Sequence, residues 1–178
     1  MTTGERSTPG VVPVVIVGGG PVGLAASSLL SDLGVDSLLV ERNMTTSDHP
    51  KAHVVNTRTM EVFRGLGVAD AVRDQAIAPE MMAYVRWVRT FAGEELASLL
   101  RRGGAVPPSP EPGTSCAQDR VEDVLVSAAA HRRGRLRFGA EVSSVEPDDE
   151  GVTVRFADGD SQRTRYVIAA DGAASGVR

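Results

Sequence analysis

Three consecutive glycines, Gly18 to Gly20, stand between an apolar run and an apolar-periodic segment in "VVIVGGGPVGLAASSLL". That arrangement leaves few folds open. Val14 to Val17 is all-apolar, as expected of a parallel strand buried on both faces. Pro21 suits a first helical turn, where its missing N–H costs nothing. Val22, Ala26, Leu29 and Leu33 then recur at helical spacing, the pattern of one apolar face, and Gly34 is a stop signal. Gly18, Gly20 and Gly23 make G-x-G-x-x-G at this strand-to-helix junction. Gly18 permits the tight turn, Gly20 lets the backbone approach a pyrophosphate, and Gly23 lets the helix pack close to the strand. Pro21 and Val22 lie within the same cradle, where the helix N-terminus turns N–H groups and a positive dipole end toward phosphates. A second buried strand, Ser37 to Val40, ends in Glu41, where a carboxylate accepts hydrogen bonds from a ribose. Arg42 beside it points either to a 2′-phosphate, to an adenine face or to solvent.

Composition narrows the remaining classes. A net charge of −4 without a dominant basic stripe argues against a nucleic-acid partner. Cys116 is the single cysteine, so an intrachain disulfide and a cysteine metal cluster are excluded and a reducing cytoplasm fits. The almost uncharged stretch at 11–30 approaches the length of a membrane span. Its three consecutive glycines and two prolines make a poor spanning helix, and the segment before it lacks a basic region.

Residues 1–10 read as a disordered lead-in, and 43–56 as loop. "NTRTMEVFRGLG" reads as a helix capped by Asn56 or Thr57, with Met60, Phe63 and Leu66 on one face. Two strands are expected around the turn at Ala92-Gly93, then a loop over 103–113. An amphipathic helix follows from about Asp119 to Arg132, with Val121, Val124, Leu125 and Ala128 inward. Arg135 to Phe138 is a strand, and a three-strand meander with turns at Asp149–Gly151 and Asp158–Gly159 completes the pattern. The order implies an α/β, Rossmann-like nucleotide-binding unit interrupted by part of another domain. Its expected divisions are 11–78 and 115–178 for the nucleotide-binding domain and 79–114 for an excursion into a substrate domain.

The last strand delivers Asp171 onto Gly172. A flavin dinucleotide has ribityl hydroxyls for such a carboxylate to accept from, and Gly172 allows close backbone approach; an ordinary Asp-Gly turn is the alternative. With the glycine loop and Glu41 in place, FAD is the better reading, and NAD(P) the rival. Four stretches then carry a specific resemblance: "VVIVGGGPVGLAASSLLSDLGVDSLLVER", "PKAHVVNTRTMEVFRGLGV", "CAQDRVEDVL" and "VIAADGAASGVR". They resemble the N-terminal part of class A flavin-dependent aromatic hydroxylases, the para-hydroxybenzoate hydroxylase-like group, most nearly its polyketide hydroxylases.

The resemblance implies that Gly18, Gly20 and Gly23 hold the FAD pyrophosphate, Glu41 the adenosine ribose and Asp171 the ribityl side, with Arg42 against the adenine end. Lys51 and Ala52 stand in the family's "P-R-A" position, where lysine keeps the charge but loses the bidentate fork. Gln118 matches a glutamine that contacts the ribityl–pyrophosphate region. Arg58 either faces the cofactor or pairs on its own helix, and Val142 either offers backbone groups to the adenine or packs in the core. The activity implied is hydroxylation of an aromatic small molecule, with NADPH or NADH reducing the flavin and O2 captured as a C4a-hydroperoxide. The catalytic acid and base are left unassigned. Members of the group continue well past the Asp-Gly motif, so the chain is expected to be a fragment, a proteolysed piece or half of a split enzyme. Alone, it is expected to aggregate or bind FAD weakly, its partner being the C-terminal remainder. Rival readings are an epoxidase, halogenase or reductase on the same fold, and a non-catalytic FAD-binding subunit.

Other residues point less far. His49 and His53 have the spacing of two helical metal ligands, but Pro50 lies between them in a loop, so no metal is expected. Cys116 reads as a packed residue rather than a nucleophile. Tyr84, Trp87 and Phe91 either line an aromatic pocket or pack a small sheet.

Overall fold

The computed structural model describes residues 10–78, 81, 84–100 and 109–177. The expected lead-in, apart from Gly10, and most of the loop at 103–113 lie outside these residues. The chain divides into two compact units, 1–48 with 122–178, and 49–121.

The first unit is built on a six-stranded sheet. Its strands are β1 (Val12–Val17), β2 (Ser37–Glu41), β7 (Arg135–Phe138), β8 (Val142–Asp148), β9 (Gly151–Phe156) and β10 (Ser161–Ala169), in the order β7-β2-β1-β10-β9-β8. β1, β2, β7 and β10 run parallel, and β8 and β9 continue the sheet antiparallel. The apolar runs of β1 and β2 are central because both of their faces are covered: Val15, Ile16 and Leu39 are fully buried. Pro13 is tolerated inside β1 because pairing with β2 begins only at Val14.

β10 does two jobs. Ser161 to Thr164 closes the meander against β9, while Thr164 to Ala169 runs parallel to β1. The third meander strand and the strand that delivers Asp171 are therefore one nine-residue element. Its buried Thr164 hydroxyl has the Pro13 and Tyr166 carbonyl oxygens within reach of its one proton, at 3.1 and 3.0 Å.

The helix α1 (Pro21–Asp32) corrects one expectation. Val22, Leu29 and Leu33 are exposed by 69, 42 and 77%, and the buried face is Gly23, Leu24, Ser27, Ser28 and Ser31. Close packing decides this. A Cβ on Gly23 would stand 1.9 Å from the Gly18 carbonyl oxygen and 3.4 Å from Ile16, so the helix approaches the strand too closely there for any side chain at 23. α4 (Gln118–Ala130) buries Val121 and Leu125 as expected. Ala129 and Glu122 join them, however, while Val124 and Ala128 are half-buried. Glu122 is accommodated by accepting the Ser47 N–H at 2.9 Å.

Between β8 and β9, Gly151 takes a positive φ of 151° at the predicted turn, and Gly159 takes 91° in the next. Arg163 clasps Asp148 with two hydrogen bonds of 2.6 and 2.5 Å. These bonds, with the Glu150 N–H, hold the Asp148 carboxyl at about 2, below its ordinary 3.8. A depressed carboxylate stabilises the fold above the ordinary value, and the contribution is lost as pH falls through the depressed one. The carboxyl resonance of Asp148 should thus titrate near pH 2, and Arg163→Ala should return it toward 3.8. A midpoint near 4 in the unmodified protein would show that the clasp does not persist in solution.

The second unit holds α2 (Thr57–Gly65) and α3 (Ala69–Asp74), with β3 (Val54–Val55) paired to β6 (Thr114–Ser115) and β4 (Tyr84–Val88) to β5 (Glu95–Leu100). Asn56 caps α2 by accepting the Thr59 N–H at 2.8 Å, and Met60, Phe63 and Leu66 are buried as expected. α3 was not legible in the sequence: at six residues it is too short for periodicity. Buried Glu111 receives Arg73 and lies 3.5 Å from Arg64, tying its loop to both helices. On the β4–β5 hairpin Trp87 and Phe91 are exposed rather than packed.

Candidate functional site

The carboxyl ends of β2, β1 and β10 lie side by side, because β1 pairs in parallel with both neighbours. The strand order reverses between β1 and β10, which is where open α/β sheets form a ligand crevice. Gly18 follows β1, Glu41 ends β2 and Asp171 follows β10, so the fold gathers at one edge three features separated by up to 153 residues in sequence.

Gly18 adopts φ 112°, and its N–H donates to the Val40 carbonyl at 2.8 Å. A Cβ there would stand 2.3 Å from the Ala170 oxygen and 2.9 Å from the Asp171 nitrogen. Gly18 is therefore required by the strand that carries Asp171, and Gly23 by Gly18. Gly20 differs. It has an ordinary φ of −77°, and a Cβ there would meet nothing within 4 Å. The fold does not demand a glycine at 20. The space above it is open, as a pyrophosphate lying on the backbone would need. Gly20 is also the N-cap of α1. Among the described residues, no side chain caps this helix and no acidic residue stands in its first turn. A buried-face helix starting with free N–H groups and an unblocked approach fits a dinucleotide phosphate.

Glu41 is engaged at both oxygens. Oε2 accepts the Gly19 N–H at 2.7 Å, and Oε1 accepts Asn43 N–H at 2.9 Å and Asn43 Nδ2 at 2.6 Å. Neither Gly19 nor Asn43 stood out in the sequence. The middle glycine in "GGG" was the available signal, since the G-x-G-x-x-G pattern leaves that position free. Asp171 Oδ2 accepts the N–H groups of Gly176 and Val177 at 2.8 and 3.2 Å, closing the turn that follows. Burial acts to raise this carboxyl, but the hydrogen bonds that it accepts outweigh burial and hold it below its ordinary value. Gly172 takes φ 84°.

The other expected residues are placed less decisively. Arg42 is exposed. In the second unit Lys51 and Ala52 are exposed, and the Ala52 carbonyl accepts the Gln118 N–H at 2.7 Å, which brings these two stretches together. Arg58 pairs with Glu61 on its own helix at 3.0 Å. The side chain of Val142 packs against the core cluster of Val12, Val15, Val40 and Phe156. Cys116 is buried, and burial pushes its thiol up, away from a reactive thiolate.

The family model described as an FAD binding domain matches residues 11–178. The chain belongs to this family. Similar to this FAD-binding domain is a putative polyketide hydroxylase from Streptomyces halstedii, 39% identical over 94% of the chain and 32% of the relative. Among solved structures, the flavin-dependent monooxygenase PieE, in complex with FAD and substrate, is 42% identical with a TM-score of 0.86. The match covers 94% of this chain and 31% of PieE. An aklavinone-11 hydroxylase, in a ternary complex with FAD and aklavinone, is 32% identical with a TM-score of 0.83, covering 98% of this chain and 34% of its own. The FAD-binding domain thus spans about a third of the length of these relatives. Among the described residues no helix is long and apolar enough to cross a membrane.

Proposed function

We propose that this chain is the FAD-holding part of a monooxygenase that hydroxylates an aromatic, polyketide-type small molecule at the expense of NADH or NADPH and O2. One observation carries the reading. Glu41 and Asp171 flank a glycine loop whose Gly20 is dispensable to the fold but leaves open space at an uncapped helix N-terminus. When bound, FAD supplies the redox chemistry, accepting reducing equivalents from the nicotinamide and activating O2 for transfer to the ring.

The chain's own residues bind and orient. The Gly18–Gly23 loop, with Pro21 and Val22, takes the pyrophosphate on backbone N–H groups and the dipole of α1. Glu41 receives the adenosine ribose. Asp171 sets the 171–177 turn beside the ribityl chain, with Gly172 allowing close approach. Arg42 and the backbone at Val142 belong to the adenine side, Lys51 and Ala52 to the neighbourhood of the flavin and the phosphates, and Gln118 to the ribityl–pyrophosphate side; for these five the support is the family resemblance. The substrate class rests on the names of the relatives, polyketide hydroxylase and aklavinone-11 hydroxylase. The same resemblance supports an excursion over 79–114 that joins a substrate domain completed by a C-terminal remainder, and the single cysteine fits a reducing, cytoplasmic setting.

The visible spectrum of the purified chain, titrated with FAD and followed by identification of the flavin released on denaturation, tests this. The expected result is a perturbed flavin spectrum and release of FAD, most firmly when the chain is joined to the remaining two-thirds of such an enzyme. A chain that leaves the FAD spectrum unchanged in both forms would sink the reading.

A further inference from the structure

The three N–H groups on Glu41 are unevenly shared. A carboxylate offers about four acceptor positions, two on each oxygen. Asn43 fills both positions on Oε1, with its backbone N–H at 2.9 Å and its side-chain amide at 2.6 Å. Gly19 takes one position on Oε2 at 2.7 Å. One acceptor position therefore remains, on Oε2, the oxygen already held at the glycine loop. Gly19 also sets how close the acid can come, since a Cβ there would lie 2.8 Å from Glu41 Cβ and 3.0 Å from its Cγ. Any larger residue at 19 would displace the Glu41 side chain and break the 2.7 Å bond.

We propose that Asn43 is a positioning residue for the cofactor's adenosine ribose: by saturating Oε1 it leaves Oε2 as the oxygen that accepts the ribose hydroxyl, and Gly19 fixes where that oxygen stands. The proposal rests on the reading that the site holds FAD through Glu41. Asn43 acts through the acid and touches no part of the cofactor. It has a direct consequence for Glu41→Gln. An amide nitrogen cannot face the two Asn43 donors, so the glutamine must either turn its nitrogen toward Gly19 or lose the Asn43 contacts. In the first case an amide N–H replaces the acceptor offered to the ribose and also meets the Gly19 donor; in the second the oxygen stays beside Gly19 but the side chain is no longer held by Asn43.

The test is a double-mutant cycle on the full chain, with FAD as the probe, its fluorescence change reporting the dissociation constant, and thermal melts of all four proteins run alongside. Asn43→Ala is expected to weaken FAD binding by about tenfold in the unmodified chain, as loss of one charge-assisted hydrogen bond predicts, and by less than about twofold in the Glu41→Gln background. Melting temperatures should stay within a few degrees, because Asn43 is exposed. An equal loss in both backgrounds, or no loss in the first, would overturn the proposal and leave Asn43 a turn residue. Failure of the unmodified chain to bind FAD both alone and joined to the remaining two-thirds of such an enzyme, or indifference of binding to Glu41→Gln, would overturn the site reading itself and the proposal with it.

Discussion

Gly23→Ala is expected to lower the melting temperature by roughly 6–12 °C, corresponding to about 3 kcal/mol, whereas Gly20→Ala should leave stability within about 1 kcal/mol and lose the cofactor instead. Both positions belong to the same motif, but different neighbours constrain them. A methyl group at 23 collides with the Gly18 carbonyl oxygen at 1.9 Å, and this is backbone, so α1 must lift from β1 or the loop must shift. Lifting α1 would expose Leu24 and Ile16, both fully buried. A methyl group at 20 collides with nothing in the protein. It occupies the space proposed for the pyrophosphate and costs the charge-assisted bonds there, roughly 10- to 100-fold in FAD affinity. Paired melting and FAD-binding measurements on the two variants separate the roles. Equal thermal losses would show that Gly20 is structural, and unchanged FAD affinity in Gly20→Ala would remove the pyrophosphate from this loop.

Glu111→Ala should destabilise the 49–121 unit by about 2 kcal/mol. Its carboxylate is 9% exposed and receives Arg73, with Arg64 at 3.5 Å. Breaking a fully buried pair costs about 3–5 kcal/mol, and the 34% and 60% exposure of the two arginines lowers that figure through solvent screening. Truncation also frees the loop that the acid ties to α2 and α3. Arg73→Ala leaves the acid buried with its nearest partner gone, so the double variant Arg73→Ala/Glu111→Ala should cost less than the sum of the single losses. Chemical denaturation of the three proteins measures the coupling. A Glu111→Ala change within about 0.5 kcal/mol of the unmodified chain would show that the acid is incidental to stability.

The parts of this protein that were legible in advance share a property. Strand, glycine turn, helix and terminal acid are each specified by residues a few positions apart. The turn at Gly18 needs a positive φ, the helix needs a start at Pro21, and β1 and β2 need apolar runs to be buried on both faces. Asn56 and the Met60–Phe63–Leu66 stripe identify α2 for the same reason. The Asp-Gly turn at 171–172 and the two meander turns are local as well. Composition alone disfavoured nucleic acid as a partner.

What tertiary structure decided depends on distance between segments. The buried face of α1 runs through Gly23, Leu24 and three serines, because the helix approaches Gly18 and Ile16 too closely at Gly23 for any side chain there, and no periodicity within the helix encodes the height of its neighbour. β10 serves the meander and the parallel sheet at once because its two halves meet β9 and β1, which precede it by about 10 and 150 residues. Glu111 and Glu122 carry no local signal of burial; the Arg73 guanidinium and the Ser47 N–H that accompany them come from distant segments. Gly19 and Asn43 gained meaning only when the end of β2 came beside the turn after β1. Residues close together in the chain specify a glycine turn between strand and helix and the class of sheet behind it. Only the folded chain decided which side chains face each other at the sheet edge. Sheet pairing and packing join residues far apart in sequence, and the site is made where they meet.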